Sequence, residues 1–328
     1  MKSQAVDHVL LETSPITTSV RSLVEGYILN CRCEGKSQAT LANYLNRLRC
    51  FMWFCQEHSY PDEPHKITPE HIRQFLWYLA SEPIRWNGSS TSARKPASQS
   101  TINHYYRALN TFFAWLKREE LIADNPVARI KTPKIEQKVI QALNPQEVTR
   151  LLERFSARGY LDARNRAIVM MLLDTGMRVF ELANLRLDDV DTTSGSILIR
   201  RGKGSKQRVV RIGAKAQKAL WKYMTVYRRG DSDRLFLSRS GEPLDVTGIK
   251  IMIRRLGKKA GVENAHVHRL RHTFAISFLR SGGDVFSLQY LLGHSTLAMT
   301  QRYLQSLNAE DAANAHRQHS PLDNMSSK

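Results

Sequence analysis

Six side chains in the second half of the chain are of types, and at spacings, that could transfer a phosphoryl group. Arg178 stands in Thr175-Gly176-Met177-Arg178-Val179-Phe180-Glu181-Leu182, just after a glycine of the kind that ends helices and at the start of the next one. A guanidinium there adds a planar pair of donors to the positive end of a helix, which suits a phosphate. Glu181, one turn later, is placed to hold that guanidinium. Lys203 sits in the basic turn Gly202-Lys203-Gly204-Ser205-Lys206. In His268-Arg269-Leu270-Arg271-His272, His268 and Arg271 fall one helical turn apart on one face. Leu292-Gly293-His294-Ser295 ends one helix and opens another, and Tyr303 follows His294 by nine residues. Singly, such residues are usually solvated or structural, and a lone tyrosine is usually amphipathic core. Together they supply positive charge, proton donors and a hydroxyl nucleophile.

The same half lacks the parts of other chemistries. It holds no cysteine, no His-Glu-x-x-His pattern and no Walker-type loop. Gly202-Lys203-Gly204 joins two strand-like runs instead of leading into a helix, which argues against a nucleotide cradle.

The elements that must position these residues are mostly helical. Leu41, Tyr44, Leu45, Leu48 and Met52 repeat at the spacing of one helix face, as do Ile102, Tyr105, Tyr106, Leu109, Phe112, Phe113 and Leu116. Thr68 and Pro69 cap a helix carrying Ile72, Phe75, Leu76 and Leu79. These aromatic stripes read as the core of a helical bundle. Pro83 to Gln99 reads as a mobile surface loop. Between Ala128 and Ile140, Arg129, Lys131, Lys134 and Lys138 accompany Pro133 with few apolar residues, a basic and partly stiff linker expected to touch DNA. Asn144, Pro145 and Glu147 then make a capping box ahead of Val148, Leu151, Leu152 and Phe155. A helix through Ile168, Met171 and Leu172 should stop near Gly176. The period changes at Ser196 to Ile212, where Ile197, Ile199, Val210 and Ile212 alternate in a hairpin with Lys203 and Lys206 at its tip. Leu235-Phe236-Leu237 is expected to add a third strand. The fold class is therefore mainly α with a small antiparallel sheet. It divides into a tail (1–17), a helical domain (18–129), the linker (130–142), a second domain (143–315) and a flexible tail (316–328).

Composition narrows the partner. Lysine and arginine number 49 against 30 acidic residues in 328, a net charge of +19, which favours a polyanion: nucleic acid or an anionic membrane surface. No run of about 18 apolar residues is present, and the start lacks the apolar stretch of a signal peptide. Nucleic acid in a cytoplasmic setting is the expectation. Cys31, Cys33, Cys50 and Cys55, with His58 nearby, match no usual zinc-finger spacing. They read as reduced thiols, Cys50 and Cys55 within a helix core.

The ordered set Arg178, Lys203, His268-x-x-Arg271, His294 and Tyr303 resembles the tyrosine recombinase (phage integrase) family, of the Xer-like or transposon and phage type. The resemblance spans about Ser19 to Ala313. It is closest in Thr175 to Leu182, Gly202 to Arg208, His268 to Ala275 and Leu291 to Ser295. It implies a core-binding (SAM-like) domain followed by a catalytic domain, together clamping duplex DNA. It further implies that Tyr303 attacks the scissile phosphate to form a 3′-phosphotyrosyl link. Arg178, Arg271 and His294 would hold the nonbridging oxygens, Lys203 would protonate the departing 5′ oxygen, and His268 would relay the tyrosine proton, with no metal, ATP or other cofactor. It implies a homo-tetramer on DNA, with or without an accessory protein or second recombinase. Leu307 to Ala315 would be either an exchanged C-terminal element or a helix docked in cis. The spacing from Lys203 to His268 shows no extra insertion of the kind integron integrases carry. Lengthening at the N-terminus and around Asn87 to Lys95 points to integration, excision or resolution of a mobile element. Competing readings are a type IB topoisomerase-like enzyme, a non-catalytic DNA-binding regulator and, with no aromatic RNA-recognition pattern to support it, an RNA-binding protein.

Overall fold

Four serines and threonines start the first four helices. Ser19, Ser37, Thr68 and Ser98 each accept a hydrogen bond from the backbone N–H three residues on, a cap typically contributing about 1 kcal/mol. They open α1 (Val20–Cys33), α2 (Gln38–Glu57), α3 (Pro69–Ser81) and α4 (Gln99–Arg118). The computed structural model describes residues 19–83, 95–134, 141–156, 158–200, 207–304, 306–307 and 311. Most of the loop expected at Pro83 to Gln99, both tails, Lys138, and the hairpin tip with Lys203 and Lys206 lie outside them. So does all of Leu307 to Ala315 except Leu307 and Asp311.

The chain forms two units, Met1–Lys138 and Val139–Lys328. In the first, the aromatic stripes meet as a core: Phe51, Phe54, Phe75, Phe112 and Phe113 are buried, and Phe51 packs edge-on against Phe75 at 5.2 Å. Cys31 and Cys55 are buried in it, Cys50 is half-buried and Cys33 is exposed, all four unbridged. Burial pushes the Cys55 thiol up to about 12. Among the described residues no cluster of His, Cys, Asp and Glu could hold a metal ion. The first residues of the basic segment are fixed to α4, because Tyr106 donates to the Ile130 carbonyl (3.0 Å) and Asn103 to that of Pro133 (2.9 Å).

The second unit is built on α6 (Tyr160–Thr175), whose Ala167, Ile168, Val169, Met171 and Leu172 have no exposed surface. Ahead of it runs α5 (Pro145–Glu153), opened by the Asn144–Glu147 capping box. α6 ends at Gly176 with φ of 59°. A Cβ there would lie 2.3 Å from the Phe274 ring, so backbone conformation and packing both require glycine. After α7 (Val179–Ala183) comes a three-stranded antiparallel sheet of β1 (Val190–Asp191), β2 (Ser196–Ile199) and β3 (Arg208–Arg211), in that order. Ile197 pairs with Val210 and Ile199 with Arg208. Then follow α8 (Ala214–Lys222), α9 (Val246–Ala260), α10 (Val267–Arg280), α11 (Val285–Leu292) and α12 (Leu297–Leu304).

The third strand differs from expectation: it is β1, and Leu235-Phe236-Leu237 is a buried connector. Its backbone groups find scattered partners. Leu235 N–H goes to the Leu185 carbonyl, Leu237 N–H to the Tyr223 hydroxyl, and the Leu237 carbonyl accepts from Arg164 and Tyr160. No continuous ladder is needed to satisfy them. Elsewhere the mainly α class with a small antiparallel sheet stands. Among the described residues no helix is long and apolar enough to cross a membrane.

Candidate active site

Two helix C-termini and one helix N-terminus set the site. α6 ends at Gly176, α11 ends at Gly293 with φ of 62°, and Arg178 caps α7. The last carbonyls of a helix lack intrahelical donors, and here arginines occupy them. Arg271, projecting from α10, donates through Nη1 to the Gly176 carbonyl (2.6 Å) and through Nη2 to that of Leu292 (2.8 Å). Arg178 Nη2 donates to the Gly293 carbonyl (2.9 Å). Helix ends carrying partial negative charge thus anchor both guanidiniums, while the cluster stays strongly cationic.

Glu181 is bonded to Arg178 and to a second arginine. Arg178 meets it through Nη1 (3.2 Å) and through its own N–H (2.7 Å). Its second partner is Arg208 of β3, which grips both carboxylate oxygens at 2.9 Å with both side chains buried. Burial alone would raise the Glu181 carboxyl, but the bonds and charge of Arg208, with those of Arg178, outweigh it and hold the carboxyl below the usual range. Arg208 Nε also donates to the Leu291 carbonyl (2.8 Å). One buried carboxylate therefore joins the hairpin base to Arg178, and Arg208 joins both to the end of α11.

His294 and Tyr303 complete the cluster. His294 Nε2 lies 2.9 Å from Arg271 Nη2, and its Nδ1 lies 2.9 Å from the Thr300 hydroxyl. Burial, then the charges of Arg271, Arg178 and Arg208, push its pKa down to about 4. The Tyr303 ring is parallel to that of His294 with centroids 6.0 Å apart, and 5.1 Å from His272. Burial and Arg178 lower Arg271 to about 10, while its contact with the Tyr303 hydroxyl works the other way. His268 reaches the surface from the first turn of α10. Partial burial and then His266, Arg271, Lys250 and Arg178 depress its pKa.

Arg178, Glu181, Arg271, His294 and Tyr303 are thus brought together, with His268 on the rim. Lys203 is bracketed by β2 and β3 but lies outside the described residues, as does Lys206. Arg129, Lys131 and Lys134 belong to the other unit and are solvent-facing at its end; Arg129 is 3.7 Å from Asp124. Sequence reasoning missed Arg208, Thr300 and His272. A charged residue at an inward position of an alternating strand signals a buried partner, which would have found Arg208. Thr300 precedes Tyr303 by one helical turn. Arg269, between His268 and Arg271, is structural: its Nη2 meets both oxygens of Glu147 at 3.0 and 2.9 Å.

Two stability predictions arise here. Arg208→Ala leaves Glu181 buried with one cation fewer, and the expected loss in urea unfolding is about 3–5 kcal/mol, as for other broken buried pairs. Acidification acts through His294. An unfolded histidine titrates at about 6.5 and the folded one at about 4, so the unfolded chain binds more protons between those values. Stability is fully present above that window and falls as pH drops through it. His266, His268 and His272 shift the same way, so His294→Gln should flatten part of the slope and leave the rest. Glu181 adds a further loss below roughly 4.3, where the unfolded carboxyl protonates first.

A model of the phage integrase family matches residues 141–310, and a model of the phage integrase N-terminal SAM-like domain matches residues 23–123. The tyrosine recombinase XerC of Bacillus subtilis (strain 168) is 36% identical over 302 residues, covering 86% of this chain and 98% of that protein. The XerC of Leptospira interrogans serovar copenhageni is 33% identical over 293 residues, covering 87% and 88%. Among solved structures, a XerA recombinase is 32% identical with a TM-score of 0.50, covering 92% of this chain and 99% of its own. The Tn1549 transposon integrase in complex with transposon right end DNA shares the fold, with a TM-score of 0.72 at 19% identity over 92% of this chain and 99% of its own.

Proposed function

This chain belongs to the phage integrase family of site-specific tyrosine recombinases, and on that premise we propose that it cuts and rejoins DNA through a 3′-phosphotyrosyl bond to Tyr303. The observation that carries the reading is the convergence of Arg178, Arg271 and His294 beside Tyr303. Two guanidiniums, with an imidazole that donates once it is protonated, stand on rigid helix ends as a preorganised set for a phosphorane-like transition state.

In the proposed reaction Tyr303 Oη attacks phosphorus and the P–O5′ bond breaks. His268 relays the phenol proton, Lys203 protonates the leaving O5′, and the two arginines with His294 take the charge that builds on the nonbridging oxygens. One phosphodiester is exchanged for one phosphotyrosyl ester, so the bond energy is kept for a second 5′ hydroxyl and neither ATP nor a metal enters the balance. Arg129, Lys131, Lys134, Lys138 and Lys206 would contact backbone phosphates, which give affinity more than sequence choice.

The assembly proposed is a homo-tetramer on double-stranded DNA, a dimer of dimers, served where needed by an accessory protein or a second recombinase. The XerH recombinase was solved on a palindromic difH substrate in a post-cleavage complex, and lambda integrase as a dimer on a COC′ core site; two copies on one site, as in the lambda complex, would be the starting unit for pairing duplexes. What favours a mobile element over chromosome-dimer resolution is the lengthened stretch around Asn87 to Lys95.

A plasmid carrying two direct copies of the DNA flanking the gene tests this function. Loss of the intervening segment, dependent on both copies, is the expected result. Relaxation of a supercoiled plasmid lacking the site, with no rearrangement, would replace recombination by a topoisomerase-like activity.

A further inference from the structure

The geometry points to Thr300 as the residue that fixes which nitrogen of His294 faces the phosphate, an inference that rests on the proposed role of His294. Arg271 Nη2 carries two protons. One goes to the Leu292 carbonyl at 2.8 Å, and the other faces His294 Nε2 at 2.9 Å. A guanidinium has no lone pair to offer, so Nε2 accepts and the neutral ring carries its proton on Nδ1. That nitrogen lies 2.9 Å from Thr300 Oγ1, which therefore accepts. Thr300 has no exposed surface, so water does not readily replace it.

The bond does two things at once. It holds the imidazole with Nε2 toward Arg271, and it ties the ring to α12, three residues before Tyr303. With the Nδ1 proton committed to Thr300, Nε2 can donate to a nonbridging oxygen only after gaining a second proton. For His294 to donate there, Arg271 Nη2 must turn its proton from Nε2 to the phosphate as the ring gains a proton, the extra charge being favoured by the phosphate against the opposing cations Arg271, Arg178 and Arg208. The other groups facing it are the rings of Tyr303 and, beyond that, His272. Without an acceptor at Thr300 the Nδ1 proton is stranded. The ring then favours the other tautomer, which sets a donor against the donor of Arg271.

Thr300→Val keeps the shape and removes the oxygen, and Thr300→Ser keeps the oxygen. On the full chain, the measurements are single-turnover cleavage of a nicked substrate, DNA affinity, and the ¹⁵N spectrum of the histidine rings, with His294 identified by difference against His294→Gln. We expect Thr300→Val to cleave about tenfold or more slowly, the scale of one lost hydrogen bond to a charged group, with DNA affinity unchanged and the Nδ1-protonated signal gone. Thr300→Ser should keep that signal and cleave close to the wild-type rate. Wild-type cleavage by Thr300→Val, an unaltered His294 signal in it, or a serine variant as slow as the valine one would each overturn the inference. If the wild-type protein itself forms no covalent adduct, the catalytic reading of the cluster fails, while the ring spectrum still decides whether Thr300 sets the tautomer.

Discussion

Tyr303→Phe should abolish strand cleavage while DNA binding stays close to wild type. The substitution removes only the hydroxyl. The ring keeps its place between His294 and His272 and against the small apolar cluster of Ala275, Leu288 and Leu292. The binding surface therefore has no reason to change. Removal of a nucleophile in comparable covalent mechanisms costs about 10⁴-fold or more, so a nicked substrate should show no adduct over many wild-type half-lives. An adduct from the Phe variant would mean that another residue attacks, and the roles built around Tyr303 would fall together.

Lys203→Ala has the second largest expected effect. General-acid catalysis contributes about 10²–10⁴-fold, and cleavage should slow within that range. The diagnostic is the substrate: a 5′-bridging phosphorothiolate leaves as a thiolate that needs no proton, so the variant should cleave it at close to the wild-type rate. A slow rate on both substrates would remove Lys203 from the proton-donor role. The bonds from Arg208 of β3 to Glu181 and Leu291 make the base of that hairpin part of the site.

Features that depend on near neighbours along the chain are legible in the amino-acid sequence itself. The stop at Gly176, the caps at Thr68 and Asn144 and the strands around the basic turn rest on local signals: a left-handed glycine, a side-chain oxygen before a proline, alternation of apolar residues. Leu235-Phe236-Leu237 carries an equally strong strand signal, yet its partners are a tyrosine hydroxyl, an arginine and distant carbonyls. Tertiary context decided it. In the site, spacing brought Arg178, Arg271, His294 and Tyr303 forward as a set. It could not show that Arg208, 27 residues from Glu181, shares that carboxylate with Arg178. Nor could it show that Arg269 is held by Glu147 from 122 residues away in the chain.

The most direct test of the central claim is chemical. A nicked suicide substrate cut from the DNA flanking the gene is incubated with the full chain in EDTA, the products are run on a denaturing gel, and any shifted band is digested for peptide mass. The expected result is a covalent protein–DNA adduct in the absence of free metal, with the added mass on the peptide containing Tyr303. An adduct on a different residue, or tight site-specific binding with no adduct on any nicked substrate, would contradict it.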